Sequence, residues 1–178
     1  MRVKALATAL AFAALALASC GSDSPSTGAT VTFVNEMDGT STQLPIDEAL
    51  DAVDQELGFR PPLLSADVIA PLAPTTVSIR MSPGLIRPVR RADVDFTDPD
   101  LPGARLQLQT WDYRTREAPN VGDLPERTEA AKGVTVYHRP NHYAFLYDGF
   151  LYVLAIDDVP DYLTPDVVLR AIDDLIDS

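Results

Sequence analysis

The chain carries two histidines, and they fall together in His138-Arg139-Pro140-Asn141-His142. On a helix, imidazoles four residues apart hold a single metal ion. Pro140 interrupts any helix here, and the stretch joins two expected strands. A turn with solvated imidazoles is therefore expected, with a metal pair as the minor alternative. Asp93, Asp95, Asp98 and Asp100 resemble a calcium loop until the ligands are counted. Starting from Asp98, an EF-hand needs a ligand at Pro102 and an acid at Gln109, and it has neither. The expectation is an acidic turn, with a looser calcium site as the alternative. The serines beyond residue 30 are Ser41, Ser65, Ser78, Ser82 and Ser178, and none lies in a nucleophile elbow. Phosphate-binding loops and dinucleotide fingerprints are missing as well. No cofactor is expected. Arg80, Arg87, Arg90 and Arg91 form the one local basic cluster in the sequence. They either pair with Asp93, Asp95 and the negative surface around them, or dock on anionic lipid headgroups or an acidic partner.

The sole cysteine is Cys20, so disulfides and cysteine-based metal sites are excluded. It follows a basic start, Arg2 and Lys4, and an apolar run from Ala5 to Ala18. That run is too short to span a bilayer, which takes about 20 residues. It closes on Leu17-Ala18-Ser19-Cys20, which resembles the lipobox of bacterial lipoproteins. The resemblance implies cleavage before Cys20, a diacylglyceryl thioether on its sulfur and acylation of the new amine. Membrane attachment through Cys20 is thus expected, on the extracytoplasmic face of the cell membrane, or on an outer membrane where the cell has one. Two or more acyl chains, at about 0.8 kcal/mol per buried CH₂, hold stably where one does not. Gly21 to Thr30 is polar and small, a flexible tether with a reach of roughly 17 Å.

Of 14 Lys plus Arg and 26 Asp plus Glu, the leader holds two basic residues and no acid. Its removal leaves 12 against 26, a net charge of −14. Nucleic acid is excluded as a partner, because phosphate backbones need a basic footprint. The expected organisation is a signal peptide over 1–19, anchor and tether over 20–30, and one domain over 31–178.

Within that domain, Val31 to Val34 reads as a strand and Asp38-Gly39 as a turn. Ile46, Leu50, Val53 and Leu57 recur at helical spacing, with Asp47 and Glu48 in the first turn and Gly58 as the stop. Prolines 61, 62, 71 and 74 make 60–74 an irregular connection. Thr75 to Met81 alternates, with Val77, Ile79 and Met81 expected on the buried side. Leu85 to Phe96 reads as a return strand that Pro88 confines to an edge or a break. Arg105 to Tyr113 alternates at Leu106 and Leu108, while Trp111 and Tyr113 have the opposite parity. Either a bulge intervenes or both faces are partly covered. One or two helical turns are expected around Pro125 to Lys132, then a strand over Val134 to Tyr137. Asp148-Gly149 joins Tyr143–Tyr147 to Phe150–Ile156 as a hairpin with a type I′ turn. Its aromatics belong to the core and rim, or else line a groove. Thr164 and Pro165 open a terminal helix with Val168, Ala171, Ile172 and Leu175 as its buried stripe. Asp173, Asp174 and Asp177 crowd its C-terminal end, where the dipole disfavours them. Asp166 and Arg170 offset part of that cost as an i, i+4 pair.

The expected fold is α+β, a twisted and mainly antiparallel sheet with an N-terminal and a C-terminal helix packed on it. The element order, with LGFRPPLLS, VSIRM, RLQLQ, GVTVY and YAFLYDGFLYVLAI, resembles extracytoplasmic domains of unknown function in bacterial lipoproteins and anti-sigma-factor-like membrane proteins. That likeness runs over roughly residues 46–178 and implies no catalytic residues. The expected function is a lipid-anchored binding or accessory module at the cell envelope, with no identifiable catalytic site. An envelope protein partner and the oligomeric state are left open. A carrier of an apolar, lipid-like ligand in a concave sheet is one alternative, and a carboxylate-dependent envelope enzyme is another.

Overall fold

Asp38 opens the described chain's first turn. Its carboxylate accepts bonds from the Thr40 amide (2.9 Å) and the Thr40 hydroxyl (2.7 Å), and Gly39 supplies a φ of 76°. The turn joins β1 (Thr30–Asn35) to β2 (Thr40–Pro45). In this computed structural model, which describes residues 28–82, 88–117 and 126–178, a hairpin therefore precedes the first helix. Helix α1 (Ile46–Leu57) forms over the residues whose periodicity predicts it, buries Ile46, Ala49, Leu50, Val53 and Leu57, and stops at Gly58 with φ 74°. It is not the N-terminal element, because β1, where the sequence predicts a strand, and β2, which went unrecognised, both precede it. All but one of the six β2 residues are exposed, so they show no apolar alternation.

The connection after α1 contains one short helix, α2 (Ala66–Ile69). Next come β3 (Ala73–Ser82), β4 (Val89–Thr97) and β5 (Arg105–Asp112). After them follow β6 (Glu126–Glu129), a 3-10 turn at Ala131–Gly133, and β7 (Thr135–Arg139). The chain closes with β8 (His142–Tyr147), β9 (Phe150–Asp157) and α3 (Pro165–Asp177). The described strands form one sheet in the order β2-β1-β3-β4-β5-β9-β8-β7-β6. Only β1 with β3 is parallel. The class is α+β, with a mainly antiparallel sheet.

Strand register sorts the side chains onto two faces. Val77 pairs with Val94, Val94 with Leu108, Leu108 with Leu154 and Leu154 with Tyr143. This face shares one apolar core with α1 and α3. The other face carries Ser78, Arg80, Arg91, Asp93, Gln107, Gln109 and Trp111. Pairing is regular from Arg105 to Asp112 on both sides of β5, with no bulge. Trp111 thus lies on the polar face because both faces are partly covered.

Of the two alternatives at Pro88, an edge or a break, the break holds: β4 begins directly after it, at Val89, and is flanked by β3 and β5. Two expectations need correction. Residues 126–129 form a strand rather than helical turns, held by pairing with β7. Met81 is 44% exposed, although Val77 and Ile79 are fully buried. The Asp148-Gly149 hairpin forms as expected, with φ 48° and 77°. In α3, the Thr164 hydroxyl accepts a bond from the Val167 amide at 3.4 Å.

Candidate functional site: an arginine-lined cleft

Of the four clustered arginines, Arg87 lies outside the described residues, as does Cys20. Arg80, Arg90 and Arg91 do not form one patch. Arg80 and Arg91 face each other across β3 and β4, and both bind Asp93, which is side-chain inaccessible. The Arg91 fork grips the carboxylate at 2.5 and 2.7 Å, and Arg80 Nη2 approaches at 3.2 Å. Arg80 also pairs with Glu36 at 2.8 Å. Burial still pushes the Asp93 carboxyl above the usual carboxylate range, against the pull of Arg91 and Arg80. Next to this cluster runs an internal chain of bonds along β5. Trp111 donates to Gln109, Gln109 to Gln107, and Gln107 to Asp95, which also accepts from Arg105.

Arg90 has the opposite parity and lies on the side that bears α1. Its Nη1 donates to the Leu57 carbonyl at 3.0 Å, at the C-terminal end of α1. Two arginines beyond the end of β5 join it. Arg114 holds Asp112 through Nε (3.0 Å) and Nη2 (3.1 Å), and Nη2 also donates to the Gly58 carbonyl at 3.1 Å. Its guanidinium lies 4.8 Å from the Phe150 ring centroid and 5.8 Å from that of Phe59. Arg116 Nη1 donates to the Pro88 carbonyl at 2.8 Å. Arg90, Asp112, Arg114, Thr115 and Arg116 line a cleft of about 440 Å³. The hydrogen bonds from Arg114 hold the Asp112 carboxyl below its ordinary value, so it stays ionised. Among the described lining residues stand three guanidiniums and one carboxylate. Sequence reading missed Arg114 and Arg116. The available signal was the Asp112-Tyr113-Arg114-Thr115-Arg116 run immediately after a strand, but only the fold brings Arg90 beside it.

The other candidate residues separate. The β7–β8 register pairs His138 with Tyr143 and Arg139 with His142, so the two imidazoles project from opposite faces and cannot share an ion. His138 stacks on Tyr143 at 5.4 Å and lies 3.0 Å from the Thr128 hydroxyl. Among the described residues no group of three or more His, Cys, Asp or Glu is placed to hold a metal. Asp98 accepts from the Tyr162 hydroxyl (2.6 Å) and the Asp100 amide (2.8 Å). These bonds, with Tyr162 first, lower its pKa. The hairpin aromatics Tyr143, Phe145 and Tyr152 are buried in the core shared with the helices, and Phe145 and Tyr152 stack at 5.0 Å. A second cleft of about 250 Å³ lies between the β7–β8 turn and the start of α3, lined by His138, Tyr143, Ile156, Val159 and Leu163 among others.

The fold and cleft define an α+β domain with an arginine-lined notch. The chain matches no protein-family model, no curated protein and no solved structure. Among the described residues, no helix is long and apolar enough to cross a membrane.

Proposed function

We propose that the chain is a lipid-anchored binding lipoprotein of the cell envelope, acylated on Cys20 and presenting its α+β domain on the extracytoplasmic face. One observation carries the reading. The only cysteine of the chain stands at the end of a short apolar run behind Arg2 and Lys4, directly ahead of a polar tether. The carrier alternative has less support, because Tyr143, Phe145 and Tyr152, three of the aromatics that would line its groove, are packed in the core. Intact-mass measurement of the native product tests the proposal. The expected species starts at residue 20 and carries at least two acyl chains, and Cys20→Ala releases the protein from the membrane fraction. An unmodified Cys20 or a retained leader would sink it.

A further inference from the structure

We propose that β2 is an interface between two copies of this chain, which pair edge to edge through it and join their sheets. Strand β2 ends the sheet beside β1, and every residue of it except Leu44 is exposed. Helix α1 follows β2 directly but packs inward, over β1, β3 and β4 as well as β2. An open edge is a template for a further strand, and proteins ordinarily guard it with charge or proline. The opposite edge, β6, reads Glu126-Arg127-Thr128-Glu129, which is such a guard. Strand β2 reads Thr40-Ser41-Thr42-Gln43-Leu44-Pro45, with no charge and with proline only at its end. The acids that flank it are held from within the domain. Asp38 binds Asn35 and Thr40, Glu36 binds Arg80, and Asp47 binds Arg60.

The backbone selects the occupant. The Ile46 amide donates to the Ala29 carbonyl at 2.9 Å, and the register continues from Thr30 with Pro45 to Asn35 with Thr40. Bonded and non-bonded pairs alternate along an antiparallel ladder, so Leu44, Thr42 and Thr40 turn their backbone groups toward β1. Ser41, Gln43 and Pro45 turn theirs outward, and the proline stands where its missing N–H costs no ladder bond. About a two-fold axis at Thr42, Ser41 of each copy lies opposite Gln43 of the other, and four N–H···O bonds form. An axis at Ser41 would need the Gly39 amide, which already donates to the Asn35 carbonyl at 2.8 Å. An axis at Gln43 would meet Pro45, which has no N–H to give.

The segment is thus complementary to itself in one register, as a two-fold interface requires. Thr42 meets its own copy on the axis as a non-hydrogen-bonded pair, with Cα atoms about 4.5 Å apart. Thr40 of each copy covers the half-buried Leu44 of the other. The contact is small and both copies are acidic, so the pairing is weak at low salt and strengthens as salt screens the repulsion.

Disulfide trapping of the full chain in neutral detergent, with oxidised glutathione at about 0.15 M salt, tests this. A Cα separation of about 4.5 Å suits a disulfide. Thr42→Cys should therefore cross-link about tenfold or more faster than Asp161→Cys, an exposed position on the turn before α3. A mixture of Ser41→Cys and Gln43→Cys chains should link faster than either alone. Gln43→Pro removes an outward N–H and no inward one, so it should return Thr42→Cys to the Asp161→Cys rate. Equal rates for Thr42→Cys and Asp161→Cys overturn the proposal, and are the result expected of an edge kept for another protein's strand. Trapping that survives Gln43→Pro in a folded chain overturns it as well. Should Gln43→Pro fail to fold, a mixture that links no faster than its components has the same force. The chain without an added cysteine sets the background from Cys20, so a failure of acylation is read separately.

Discussion

Asp93 shows what burial does to an ion pair. Its carboxylate is inaccessible, while Arg91 and Arg80 keep 13% and 32% of their side chains exposed. The guanidiniums can turn to water if the acid is removed, but the acid has no such escape. Arg91→Met should cost about 3 kcal/mol in denaturant unfolding at pH 7, and Asp93→Asn about 1 kcal/mol or less. Because the folded pKa of Asp93 is raised, its contribution is full below the unfolded value and falls as pH rises through the folded one. The Arg91→Met deficit should therefore shrink on acidification, once Asp93 takes a proton. Equal costs for the two variants would contradict this account. Tyrosines supply an alkaline counterpart. Burial first, then the Asp98 bond, pushes Tyr162 up to about 12, and burial pushes Tyr152 to about 12. Between the unfolded value near 10 and these folded values, the native state retains protons that the unfolded chain loses. Stability should thus fall as pH climbs through that window. Ultraviolet titration of the native protein should show a late phase, diminished in Tyr162→Phe.

Helix α3 was the element with an internal conflict, and the structure resolves it from outside the helix. The Ala131 amide donates to Asp173 at 2.7 Å, and Lys132 Nζ donates to the Ile176 carbonyl at 2.5 Å and lies 3.8 Å from Asp177. A short 3-10 turn, with Lys132 at φ 52°, thus delivers a donor and a cation to the anionic helix end. Lys132→Met should destabilise by about 0.5–1 kcal/mol at low salt and by less at high salt. A loss that does not change with salt would point to packing instead. The β8–β9 hairpin is similarly tied to the cleft. A Cβ at Gly149 would stand 2.9 Å from Arg114 Cγ, at a φ of 77°. Gly149→Ala should cost about 2 kcal/mol in denaturant unfolding.

Taken as a whole, the molecule is strongly acidic, and its positive charges are used locally. Arg60 with Asp47 and Asp51 serves the start of α1, and Arg90 and Arg114 serve its end. Self-repulsion among the remaining carboxylates weakens the compact state. Raising ionic strength from about 0.01 to 0.15 M should therefore raise Tm, since screening at these salts reaches exposed charges about 10 Å apart. A falling Tm would mean that the ion pairs outweigh the repulsion.

Local signals were readable from residue order. The 3.6-residue spacing of Ile46, Leu50, Val53 and Leu57, the Gly58 stop, the Asp148-Gly149 turn and the Thr164-Pro165 start each act over a few residues, so the chain announces them. The leader and Cys20 carry the proposed address in the same way. Strand β2 was silent because an exposed edge strand needs no apolar alternation, and β6 because its four residues are made a strand by pairing with β7. The cleft could not be assembled from residue order, which shows only the run from Asp112 to Arg116. Arg80, Arg90 and Arg91 are neighbours in the sequence, yet alternation along β4 turns Arg91 toward Asp93 and Arg90 toward α1. Arg114 and Arg116 reach Arg90 only because β4 and β5 pair antiparallel. Chemistry that depends on a few residues of spacing is local and legible, whereas chemistry assembled across strands waits on the register that pairing sets.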